Sequence, residues 1–157
     1  IYLVMYLFMN LGAFFVVIAV KNKTGGETFD DYRGLGWEMP LVGVVMTIFM
    51  VSLTGLPPTA GFIGKFYIFA ALVKGGPQFY YLVILAGINS VISLYYYLRV
   101  VKVMFLEGER SETILQPPAV MMGMLLLTAI PTVLFGIYWS PIANWIQHSM
   151  TFFIQTI

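Results

Sequence analysis

A single lysine, Lys65, stands deep inside an apolar stretch, and its surroundings are irregular. Residues 55–69 read GLPPTAGFIGKFYIF, with Pro57 and Pro58 followed by Thr59, Gly61 and Gly64. Proline lacks an amide donor and obstructs the carbonyl one turn earlier, so a continuous helix cannot pass Pro57 and Pro58. Unwound backbone at membrane depth is tolerated only where it is buried in protein or lines water. Half-helix ends then direct partial charges and free backbone groups at a central site. Thr59 is placed to cap the second half-helix, which the pattern starts near Ala60. Lys65 lies about 13 Å from Lys74 along a helix rising ~1.5 Å per residue, too far to reach that end easily. A lysine at the centre of a spanning helix costs about 2.5–3.5 kcal/mol to insert, and such residues normally serve ion or proton movement. Burial disfavours the ammonium form, which eases proton exchange. A lysine merely paired with a carboxylate on a neighbouring helix is the alternative.

Other polar groups have helical spacing. Asn89, Ser93 and Tyr97 recur at i, i+4 and i+8, with Tyr96 close to the same face. They suit either a hydrated proton path or hydrogen bonds that join helices. Tyr2, Tyr6 and Asn10 form a similar stripe and carry the same two readings. The loop FDDYRGLGWEMP, residues 29–40, has no nucleotide or metal signature. The absence of cysteine removes disulfides, thiol catalysis and Cys-ligated clusters, and a lone His148 argues against a multi-histidine metal or haem site. His148 reads as an interfacial residue.

The elements that must position these groups are membrane helices. Of the 157 residues, 60% are hydrophobic and 10% charged, with a mean hydropathy of +0.89. Soluble domains carry roughly 25% charged residues, so the composition is that of an all-α polytopic membrane protein. A net charge of +1 points to neither nucleic acid nor a broadly acidic partner. Apolar blocks at 1–20, 40–73, 79–106 and 119–139 each approach or exceed the ~20 residues needed to span a bilayer. The loops 21–38, 74–78 and 107–118 hold nearly all the charge. The tail 140–157 reads either as interfacial or as part of a further packed helix. Trp37, Tyr80, Tyr81, Tyr138 and Trp139 fall near block ends, where amphipathic rings favour the headgroups. The chain opens on Ile1 inside an apolar block, without Met or a basic leader, and so reads as the C-terminal portion of a longer protein.

Block 40–73 is either two short spans or one broken span. If it crosses once, Lys21, Lys23, Arg33, Arg99, Lys102 and Arg110 share one side and Lys74 the other. If it crosses twice, Arg99, Lys102 and Arg110 move away and the bias disappears. The positive-inside rule therefore favours one broken span, the basic side cytoplasmic and the C-terminus outside.

GLPPTAGFIGKFYIF, NSVISLYYYLRVVKVMF and FDDYRGLGWEMP together resemble the C-terminal portion of the N subunit of proton-pumping NADH:quinone oxidoreductase, respiratory complex I. That subunit belongs to an antiporter-like family related to Mrp cation/proton antiporters. The resemblance implies a helix bundle made of the last four helices of such a subunit, with the proline-broken helix of its second inverted repeat at 40–73. It implies Lys65 as the proton-relay group of that helix, and a role in proton translocation without redox chemistry in this chain. It implies no cofactor here, with NADH, FMN, iron–sulfur clusters and quinone bound by other subunits. The implied partners are the other membrane-arm subunits and the lipid bilayer, in a bacterial inner membrane. A subunit of an Mrp-type antiporter or membrane-bound hydrogenase is the nearest alternative. A membrane scaffold in which Lys65 only forms a salt bridge is another.

Overall fold

The computed structural model describes residues 2–108, 114–141 and 143–145. Arg110 and His148 lie outside the described residues, as does most of the tail 140–157. The described elements are helices: α1 (Tyr2–Thr24), α2 (Leu35–Glu38), α3 (Pro40–Thr54), α4 (Ala60–Lys74), α5 (Tyr80–Leu106) and α6 (Ala119–Ile137), with short 3-10 turns at Phe29–Tyr32 and Pro77–Phe79. Three stretches are long and apolar enough to cross a membrane: Tyr2–Thr24, Pro77–Leu106 and Ala119–Ile137.

The first helix runs one turn beyond the apolar block 1–20. Lys21 and Lys23 occupy its last turn, where cations face the negative end of the helix dipole. It ends where the Gly25 amide bonds the Lys21 carbonyl and Gly25 takes φ 79°. The loop that follows is ordered by its own turns, and α2 meets α3 at a bend of 118°. Pro40 starts α3 at a position where its missing amide costs nothing.

α3 and α4 have 15 residues each. At ~1.5 Å per residue, neither alone reaches across a ~30 Å hydrocarbon layer. Their packing shows how they lie. Along α1, the Phe49 ring packs against Gly12, Ser52 meets Met9, and Gly64 lies against Tyr2. The chain of α3 and then α4 thus proceeds steadily from the C-terminal to the N-terminal part of α1. Along α5 the same order holds, with Gly43 beside Phe105 and Lys65 beside Ser90, and Gly75 then meets Phe79 in the turn that precedes α5. Contacts from α3 and then α4 thus run opposite to the chain direction of both α1 and α5.

The core divides at the break. One cluster joins Val16 and Val20 to Val42, Met46 and Phe49, with Met104, Leu125 and Ala129. A second cluster beyond it joins Met5 and Met9 to Ala60 and Ile63, with Phe135 against them. Each half-helix has its own packed layer, so the interruption is held from both sides.

Candidate functional site

The end of α3 is set by a glycine. Gly55 is left-handed, at φ 85°, its amide bonds the Ser52 carbonyl, and the Leu56 amide bonds the Val51 carbonyl. This pair of bonds closes the helix as a Schellman motif and leaves the Thr54 carbonyl pointing out of it. The Pro57–Pro58 bond is cis. Thr59 corrects the expectation drawn for it. It stands at the N-cap position of α4, yet its hydroxyl accepts no helix amide and instead donates to the Leu56 carbonyl at 2.6 Å. The turn needs a donor there more than the helix needs a cap, because the prolines supply no amides of their own.

Ser52 joins the two half-helices. It is fully buried, its hydroxyl accepts from the Gly61 amide at 3.1 Å, and it donates to the Met9 sulfur at 2.7 Å. One orphan amide at the start of α4 is thereby satisfied from the end of α3. Any Cβ at Gly61 would fall on the Ser52 carbonyl, so glycine is required for this approach. On the opposite side, Gly136 of α6 lies so close to Pro58 and Thr59 that a side chain there would meet their backbone.

Lys65 reaches back across the interruption. Its Nζ donates to the Thr54 carbonyl at 2.8 Å and to the Ser90 hydroxyl of α5 at 3.2 Å. The lysine is half-buried. Among the described residues, the ion pairs are Lys21–Glu27, Lys23–Glu38, Arg33–Asp30 and Lys102–Glu107, and none involves Lys65. Among the described residues, the ammonium is solvated by a carbonyl dipole and a hydroxyl.

These groups border a cavity of about 310 Å³ between α1, α4 and α5. Asn89, Ser93, Tyr96 and Tyr97 of the predicted stripe line it with Lys65, and Tyr2 and Tyr6 face it from α1. Asn10 is not among the lining residues. Ser93 is buried and turns its hydroxyl to the Ser90 carbonyl at 2.8 Å, serving its own helix. Sequence reasoning missed Ser90, Ser52 and Gly136. Ser90 carries a signal in retrospect, since it precedes Ser93 by three residues and Tyr97 by seven, on the same helical face. The Thr54 carbonyl carries none, being backbone.

The charged groups gather at the far end of the bundle. Lys23 pairs with Glu38, and the Leu115 amide bonds the Glu38 carbonyl at 2.8 Å. The Gly34 amide bonds the Val103 carbonyl at 3.3 Å, and Arg99 stacks over the Phe29 ring at 4.7 Å. The Trp37 indole donates to the Phe105 carbonyl at 2.8 Å. The loops before α3 and after α5 therefore share one end, while Lys74 lies at the other. In the first loop, the Thr28 hydroxyl and amide hold the Asp31 carboxyl below the usual carboxylate range. The bond from Lys102 does the same for Glu107. No group of three or more His, Cys, Asp or Glu able to hold a metal occurs among the described residues.

Apolar helices around a proline-bearing interruption, with Lys65 and a cavity beside it, belong to a polytopic membrane protein. Residues 1–93 match the family described as NADH:quinone oxidoreductase/Mrp antiporter, TM, and the chain belongs to that family. NADH-quinone oxidoreductase subunit N 2 of Sorangium cellulosum is 50% identical over 153 residues, which cover 96% of this chain and 30% of the relative. NADH-quinone oxidoreductase subunit N of Chlorobium chlorochromatii is 45% identical over 159 residues, covering 97% of this chain and 30% of the relative. A chain in the solved structure of respiratory complex I from Thermus thermophilus with bound aureothin superposes with a TM-score of 0.68 at 29% identity, over 87% of this chain and 32% of that one. The chain thus spans about 30% of the length of the curated relatives it matches. The resemblance read from the sequence motifs is borne out.

Proposed function

We propose that this chain contributes to proton translocation in the membrane arm of NADH:quinone oxidoreductase, with Lys65 as a proton-relay group on a broken helix. The observation that carries the reading is the position of Lys65. Its ammonium bonds the carbonyl at the end of one half-helix while it is itself borne by the other, at the edge of a cavity that several polar side chains line. A titratable group held by neutral dipoles changes charge without dismantling an ion pair. Asn89, Ser93, Tyr96 and Tyr97 extend polar surface away from it along α5. Subunit N relatives favour complex I over a stand-alone antiporter.

In this reading α3 and α4 cross the membrane once. The common end of the basic loops is cytoplasmic, and α6 returns to the outer side of a bacterial inner membrane. NADH, FMN, iron–sulfur clusters and quinone belong to partner subunits, whose redox chemistry supplies the energy. The test is Lys65→Met in the complete complex, reconstituted in sealed vesicles. Proton pumping driven by NADH oxidation is lost although the complex assembles. Unchanged pumping would overturn the relay.

A further inference from the structure

Lys65 has one partner that no substitution can remove and one that substitution can. The Thr54 carbonyl is backbone, fixed by the glycine-terminated end of α3. The lysine chain passes directly over Gly55, where an added Cβ would stand 2.8 Å from Lys65 Cδ. The second partner, Ser90, belongs to another helix and lies at 3.2 Å. We infer that Ser90 is a positioning residue for Lys65, holding its ammonium toward the α5 side of the cavity; this rests on the relay reading above.

The chemistry of the groups favours this role. An ammonium has three donors and no acceptor, so its direction is set by the acceptors around it. With Thr54 alone, the group can rotate about a single bond against Leu53, Ile68 and Phe69, the apolar lining nearby. A second acceptor on α5 fixes the fork. Ser93 does not substitute, because its hydroxyl is turned to the Ser90 carbonyl. A serine hydroxyl that accepts from Nζ keeps its own hydrogen to donate onward, which suits it to stand between the lysine and the rest of the stripe.

The experiment uses the complete complex in sealed vesicles, with pumping measured per electron passed to quinone. Ser90→Ala lowers pumping roughly three- to tenfold, the scale of one net hydrogen bond at a half-buried site. Ser90→Thr, which keeps the hydroxyl, restores it. Assembly is checked on native gels; should Ser90→Ala fail to assemble, Ser90→Cys, nearly isosteric but a poor acceptor, carries the same expectation. Unchanged pumping in the Ala variant overturns the inference, as does an equal loss in Ala and Thr, which would mark a packing effect. Lys65→Met is run beside them. If it pumps normally the relay itself falls; if it alone is inactive, only the role of Ser90 falls.

Discussion

At the scale of single residues, the site depends on small groups that admit large neighbours. Lys65 reaches Thr54 because Gly55 has no side chain in its way, and Ser52 reaches the Gly61 amide because Gly61 has none either. Gly61→Ala therefore forces the half-helices apart. An overpacked contact of this kind costs about 1–3 kcal/mol. The variant complex should melt at lower temperature, and pumping should fall with it because the distance from Lys65 to the Thr54 carbonyl changes. A melting point equal to that of the parent would show that the half-helices do not approach as described. Ser52→Ala removes only the bridge and is the milder change.

At the scale of elements, the interruption and the ordered loop do different work. Gly55 ends α3 and the prolines shape the turn, while a packed layer on either side holds each half-helix in place. The loop before α3 is held by short-range polar bonds, chief among them those from Thr28 to Asp31. The folded Asp31 carboxyl titrates below its unfolded value, so its contribution is fully present above the unfolded value and is lost as pH falls through the folded one. Protection of the Thr28 amide against hydrogen exchange should thus decline below roughly pH 4. In Asp31→Asn that dependence should be absent, with weaker protection at neutral pH. A parent loop whose protection is flat across that range would contradict the assignment.

At the scale of the whole molecule, the proposed single crossing of α3 and α4 rests on the order of their contacts along α1 and α5, and the loops test it. The absence of cysteine from the chain allows single thiols to report sidedness. Glu27→Cys and Ile114→Cys should react with a membrane-impermeant maleimide from one face, and Gln78→Cys from the other. If block 40–73 instead crosses twice, Glu27→Cys and Gln78→Cys label from the same face. Much of α5 presents apolar side chains outward, Val91, Ile92 and Tyr95 among them. Such a face belongs against lipid or other helices.

The all-helical membrane class and the interruption at Pro57 and Pro58 were legible in the sequence, which also marked Lys65 as the charge within that apolar block. They depend on local facts: hydropathy over a span, a missing amide, the cost of a charge in hydrocarbon. The stripe Asn89, Ser93 and Tyr97 was legible as a face but not as a partner. Only the tertiary structure decided that Ser90, not Ser93, meets the lysine, that Thr59 bonds Leu56 instead of capping α4, and that the end of α3 supplies a carbonyl to Lys65. Periodicity places a side chain on a face of its helix. Which hydrogen bond that side chain makes depends on the rotation and separation of helices far apart in sequence, and only packing sets those.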